Sequence, residues 1–194
     1  MLKKFWKKIM GTKKIEIEIP KGKKAKWING VLTLVDESQK DNRPVTERIK
    51  TFEDARSELG SAHPLVEEYE TITCRCGGLS TDILAYMKLR IICTALNEGW
   101  KPQFTKDEWR YFPWFILYTQ EEIEDMDEDE KSRVVYRSGN NASEFGGVAF
   151  AGVNNGASYA YANIGSRLAF KSRELAIYAG KQFIELYADL NFKI

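Results

Sequence analysis

Histidine occurs once in the 194 residues, cysteine three times and proline five times. Each scarcity closes off a class of chemistry. A Ser-His-Asp or Cys-His mechanism would have to run through His63, and no nucleophile-elbow glycine pattern accompanies any serine. Placed before Pro64, that histidine reads as a surface or capping residue. Cys74, Cys76 and Cys93 are odd in number, and the gap in Cys74-Arg75-Cys76 suits neither a disulfide framework nor a zinc site. They read as reduced thiols in a chain made in a cytoplasm. A metal site with His or several Cys ligands cannot be assembled, and the Walker A and dinucleotide-binding glycine patterns are absent, so no metal and no cofactor are expected. No apolar run approaches the roughly 20 residues that span a bilayer, so no transmembrane segment is expected. "MLKKFWKKIM" is basic like a signal n-region, yet no apolar h-region follows it.

What is present is an ordinary globular composition, 43% apolar and 29% charged, with aromatics at 12%. The net charge of +1 gives no global field that selects nucleic acid. It hides an asymmetry. Up to Lys26 there are ten Lys against two Glu, whereas Glu121 to Glu130 holds eight acids and no base. Such blocks form solvated faces, and the basic end is also suited to docking onto an acidic neighbour, while "MLKKFWKKIM" reads as a frayed terminus or a short amphipathic foot on a membrane or partner.

The pattern predicts an α+β fold. A basic N-terminal segment, residues 1–40, carries a β-meander, and residues 41–194 form an α+β domain. "KKIEIEIP" alternates as a half-buried strand, and Asn29-Gly30 between apolar runs marks a hairpin, so a three-stranded meander is expected from about Lys14 to Asp36. Helices follow, the first capped by Thr51 and ended by Gly60, the next opened by Pro64. A third runs from Ser80 or Thr81 to near Gly99, with an apolar arc wide enough for burial on more than one side. "WKPQFTKDEWRYFPWFILY" is too irregular for one helix and reads as core packing. "IGSRLAFKS" reads as a strand, and a last helix starts at Ser172.

Carboxylates give little. Asp125, Asp127 and Asp129 have EF-hand spacing, but Glu130 and Tyr136 stand where the loop needs Gly and Glu, leaving a solvated acidic loop or a loose calcium contact. Glu98 and Glu108 flank the aromatic segment and are the one pair that a glycosidase-like mechanism could use. The chain is therefore expected not to be an enzyme.

"SGNNASEFGGVAFAGVNNGASYAYAN", Ser138 to Asn163, differs from everything around it, with Glu144 its one charged residue. From Ser132 to Phe170 there is no Lys, Gln, Met or Trp. Phe145, Phe150, Tyr159 and Tyr161 are poor linker residues. Asn140-Asn141 and Asn154-Asn155-Gly156 read as turns that break a core strand. Tyr, Ser, Gly and Asn are also the vocabulary of adaptable binding surfaces. Composition leaves a loop-rich region and a binding surface equally open.

"DILAYMKLRIICTALNEGWKPQFTKDEWRYFPWF" and "IGSRLAFKSRELAIYAGKQFIELYAD", with "IEIEIPKGKKAKWINGVLTLVDE" and "TERIKTFEDA", resemble a family of small proteins from phages and prophages of gut bacteria. The tract resembles the variable region of diversity-generating retroelement variable proteins. That resemblance implies a C-type-lectin-like fold whose late segment is diversified at the adenines of Asn-type codons. Such codons yield Asn, Asp, Ser, Gly, Ala, Val, Phe, Tyr or Ile but never Lys, Gln, Glu, Met or Trp, an alphabet that the tract obeys with Glu144 fixed. Two features depart from it: a further helix follows the tract, and the Glu-Pro-Asn and Gln-Pro-Asp sugar motifs are absent.

The resemblance implies a virion-associated binding protein, oligomeric or multivalent, made in the bacterial cytoplasm, for a protein or glycan ligand on a host surface. Asn140, Asn141, Ser143, Phe150, Asn154, Asn155, Ser158, Tyr159, Tyr161 and Asn163 are the expected contacts, with the aromatics as anchors. The alternative is a structural virion component, such as a decoration, fibre or packaged protein, that packs against neighbouring subunits.

Overall fold

The computed structural model describes residues 4–5, 17–28, 31–36, 42–75, 78–103, 105–136, 146–157 and 168–191. The chain divides into two compact units, Met1–Pro44 and Val45–Ile194.

In the first unit β1 (Lys4–Phe5) pairs antiparallel with β2 (Ile17–Glu18), and β3 (Lys23–Ile28) with β4 (Val31–Asp36). Ile28 faces Val31, so the two-residue connection is Asn29-Gly30, which itself lies outside the described residues. The expected meander is not continuous: β2 and β3 belong to different sheets. The turn between them explains why. Lys23 N donates to Pro20 O with Gly22 at φ +85°. Positive φ at the second central position is the type II pattern, whose twist splays flanking strands, whereas a tight hairpin needs the primed types.

The second unit is α+β. Its helices are α1 (Val45–Arg48), α2 (Phe52–Leu59), α3 (Pro64–Arg75) and α4 (Thr81–Leu96). After β5 (Trp109–Tyr118) come α5 (Gln120–Asp125), α6 (Glu128–Lys131), β6 (Val135–Tyr136), β7 (Gly147–Ala157), α7 (Arg173–Gln182) and α8 (Ile184–Asn191). Local chemistry sets the helix starts. The Thr51 hydroxyl accepts from Asp54 N while Asp54 accepts from Thr51 N, a complete capping box, and Gly60 ends the helix at φ +82°. Pro64 occupies the first turn of α3, where its missing N–H costs nothing. Ser172 accepts from Leu175 N to start α7.

α4 is the axis of the core. Ala85, Met87, Leu89, Ile91, Ile92, Cys93, Ala95 and Leu96 are all buried on it, and it packs against α2, α3 and α8. The final helix is two helices. Phe183 (φ −115°, ψ 27°) breaks it, and α8 sets Ala188 against Val148 and Tyr187 against Phe115.

The aromatic segment is a strand, and so is much of the tract. β5, β7 and β6 form an antiparallel sheet in the order β5-β7-β6. Asn154, Asn155 and Gly156 lie within β7 opposite Phe112, Tyr111 and Arg110, where turns were expected. Of the expected "IGSRLAFKS" strand, the described part shows only an isolated bridge from Phe170 to Tyr111. That bridge lies on the side of β5 away from β7. By the period of two, the N-position of Pro113 also faces that side, where a missing N–H breaks no pair with β7.

α7 lies on this sheet through Gly180. A Cβ there would come 2.5 Å from the Phe150 ring and 2.8 Å from Pro113. Gly180→Val is expected to destabilise the protein by about 2 kcal/mol or more, read as a lower urea midpoint with the slope unchanged.

Candidate functional site

Residues 147–157 of the tract form β7, and contacts at either end hold the frame that carries it. At the N-terminal end Gly146 N donates to Tyr118 O (2.7 Å). Gly147 is buried beneath Val134 and Ile123, so closely that a Cβ would collide with the Val134 methyl. Ile123 is set in place by α5, which starts from a capping box between Thr119 and Glu122. A second box between Asp127 and Glu130 starts α6. Three acids of the acidic run thus serve helix starts. Among the described residues no group of three or more metal-ligating side chains converges.

At the other end a buried amide does the holding. Asn97, 4% exposed at the C-terminus of α4, donates Nδ2–H to Ala169 O (2.9 Å) and accepts from Lys171 N at Oδ1 (3.0 Å). The Cys93 thiol donates to the same Ala169 carbonyl (3.1 Å). Between those two points Phe170 exchanges both backbone bonds with Tyr111 (2.7 and 3.1 Å). Burial pushes the Cys93 thiol up to about 12, a thiol kept protonated and unreactive.

Between the clamps β7 sorts its side chains by face. Val148 is fully buried, Phe150 packs edge-on against Phe115 (6.0 Å between centroids), and Val153 packs on the core. The spacing of two and then three arises because Ala151 is an extra residue: Phe115 faces Phe150 and Trp114 faces Gly152. Asn154 and Asn155 are exposed.

Of the expected contacts, Asn154 and Asn155 are therefore at the surface. Phe150 is half-buried, seated between Phe115 and Gly180, with Lys181 Nζ 5.7 Å from its ring centroid. It occupies a packing position. Asn140, Asn141, Ser143, Ser158, Tyr159, Tyr161 and Asn163 lie outside the described residues.

Sequence reasoning missed the neighbouring strand. On β5, Trp114 (55%) and Ile116 (43%) are exposed, opposite Gly152 and Ala149 of β7. Large side chains on one strand thus stand beside a floor of small ones, with Phe112 and Asn154 paired further along. Reading the "FPWFI" run by a period of two exposes the pair, because Trp114 and Ile116 alternate with the core-facing Pro113 and Phe115.

The other sequence candidates have structural employment. Glu98 pairs with Arg48 (2.6 Å) and Lys171 (3.1 Å), whereas Glu108 pairs with Arg110 (3.7 Å). The two acids thus serve separate ion pairs. His63 Nδ1 accepts from Leu65 N (3.2 Å) at the start of α3, a capping contact. No protein-family model, curated protein or solved structure matches the chain.

Two outcomes are expected. Asn97→Ala leaves the Ala169 carbonyl and the Lys171 amide short of a partner, costing about 1–3 kcal/mol, and hydrogen exchange at Lys171 and Phe170 accelerates more than at mid-α4. The raised Cys93 pKa makes the folded state hold its proton longer than the unfolded chain. Its stabilising contribution is complete below about 9 and is lost as pH rises towards 12. Stability measured over that window falls less steeply in Cys93→Ala than in the parent.

Proposed function

We propose that this is a non-catalytic binding protein of a phage or prophage. Its tract and the adjoining face of β5 present a surface to a host or partner ligand. The observation that supports this most directly is the exposed Trp114–Ile116 row beside the small residues of β7, with Asn154 at its end. A rigid indole with adjacent adaptable amides is the chemistry of a paratope: the ring supplies area at little entropic cost, and the amides adjust their hydrogen bonds. The C-type-lectin-like likeness and virion association belong to the same proposal and rest on the sequence resemblance. Several copies on one particle would multiply weak single contacts.

The sheet geometry sharpens what diversification would look like. Gly146, Gly147, Val148, Phe150, Val153 and Gly156 are packing positions, whereas Ala151, Asn154 and Asn155 are exposed. Copies of the gene from related genomes are expected to differ at the second group, at Asn140, Asn141, Ser143, Ser158, Tyr159, Tyr161 and Asn163, and to agree at the first. Differences spread evenly over both groups would count against a diversified surface. In the same test, Trp114→Ala should leave stability within about 0.5 kcal/mol of the parent. It should weaken binding of the full chain to whole cells of the host strain by about 2 kcal/mol. Undiminished cell binding by that variant would remove β5 from the site. Presence in purified particles without any cell binding would favour the structural-component reading.

A further inference from the structure

The first unit carries twelve basic and five acidic residues, which leaves seventeen against twenty-three from Val45 onward. The near-neutral chain is thus a strongly cationic unit joined to an anionic one. Eleven of the twelve bases are lysines. On β4 of the same unit, Val31 (63%), Leu32 (36%) and Leu34 (40%) stand exposed. The register of β3 with β4 interleaves the two chemistries on both faces of the hairpin. Leu34 is opposite Ala25, and Leu32 and Lys23 share its face by the period of two, while Lys24 and Lys26 lie on the other face with Val31, Thr33 and Val35. Lys24 is exposed on the face that carries Val31, Lys23 is exposed on the face of Leu32 and Leu34, and Lys21 is exposed in the turn before β3.

We propose that the β3–β4 hairpin is an interfacial anchor for an anionic bilayer surface. The negative surface potential attracts lysines as compact, hydrated point charges, and exposed branched side chains on the same hairpin gain by entering the headgroup boundary. Neither feature alone selects a membrane; together they do. A nucleic-acid site would favour arginine forks and stacking rings and would gain nothing from Leu32 and Leu34. The anchor is independent of the ligand surface proposed above.

The test is sedimentation of the full chain with vesicles of phosphatidylcholine, pure or with about a third phosphatidylserine. Binding is expected to the anionic vesicles only, at least tenfold weaker when salt is raised from physiological to well above it, where the Debye length drops from about 8 Å to a few Å. The Lys21→Gln/Lys24→Gln variant, which leaves the apolar residues in place, should bind several-fold more weakly. The Val31→Ser/Leu32→Ser/Leu34→Ser variant should lose retention at high salt first. Equal binding to neutral vesicles, or none to anionic ones, overturns the proposal. So does tighter binding to duplex DNA at the same salt, or concentration-dependent self-association in the absence of vesicles that the lysine variant abolishes.

Discussion

Asn97 carries a primary amide into the core at the end of α4, and a buried amide either finds partners or costs the full desolvation of its donors and acceptor. Here it finds them on one short segment, the Ala169 carbonyl and the Lys171 amide. That pair fixes the backbone on both sides of Phe170. Phe170 in turn is bonded to Tyr111, and its ring is buried in the core around α4. Sheet, central helix and the start of α7 meet at this point, since Ser172 caps α7 directly after it. Loosening the amide would therefore release the distal anchor of the tract together with the docking of α7 on β5.

What was legible in the sequence was what neighbouring residues decide among themselves. The Thr51–Asp54 box, Pro64 at a first turn, Ser172 as a cap and the pairing across Asn29-Gly30 all act over two to three residues. The α+β class followed from these signals. Asn97 was not legible, because its partners lie 72 and 74 residues away. Nor was β7. Two asparagines and a glycine ordinarily favour a turn, but β5 supplies an extended partner, and the asparagine side chains stay exposed, so the ladder outweighs local preference. The alternation that would have marked the strand is broken at Ala151, where the bulge changes the spacing of core residues.

Charge was legible as blocks but not as roles. Glu122, Asp127 and Glu130 look like members of an undivided acidic run, yet each closes a capping box and so helps to start α5 or α6. The run is then a way of building two short helices whose inward residue, Ile123, covers Gly147. The remaining acids stay solvated and contribute to the negative balance of the second unit.

A surface that is to change in sequence without unfolding its carrier needs its changeable side chains kept apart from the packing ones. A helix lying on a core separates them only by angle, and a free loop has no packing residues to hold it. A central strand achieves separation at every step, since successive side chains point to opposite faces. In β7 the inward set of Val148, Phe150 and Val153 meets α8, α7 and the core, while Asn154 stands in solvent on the other face and Asn155, in phase with Val153, is also exposed. The bulge at Ala151 adds local twist and an extra unpaired residue, and the pairing with β5 resumes on either side of it. Substituting an exposed position on such a strand costs within about 0.5 kcal/mol, against 2–5 kcal/mol for truncating a large core residue. The difference is large enough that selection on stability alone would confine variation to the outward set, so the packing of β7 determines where a binding surface on it can vary.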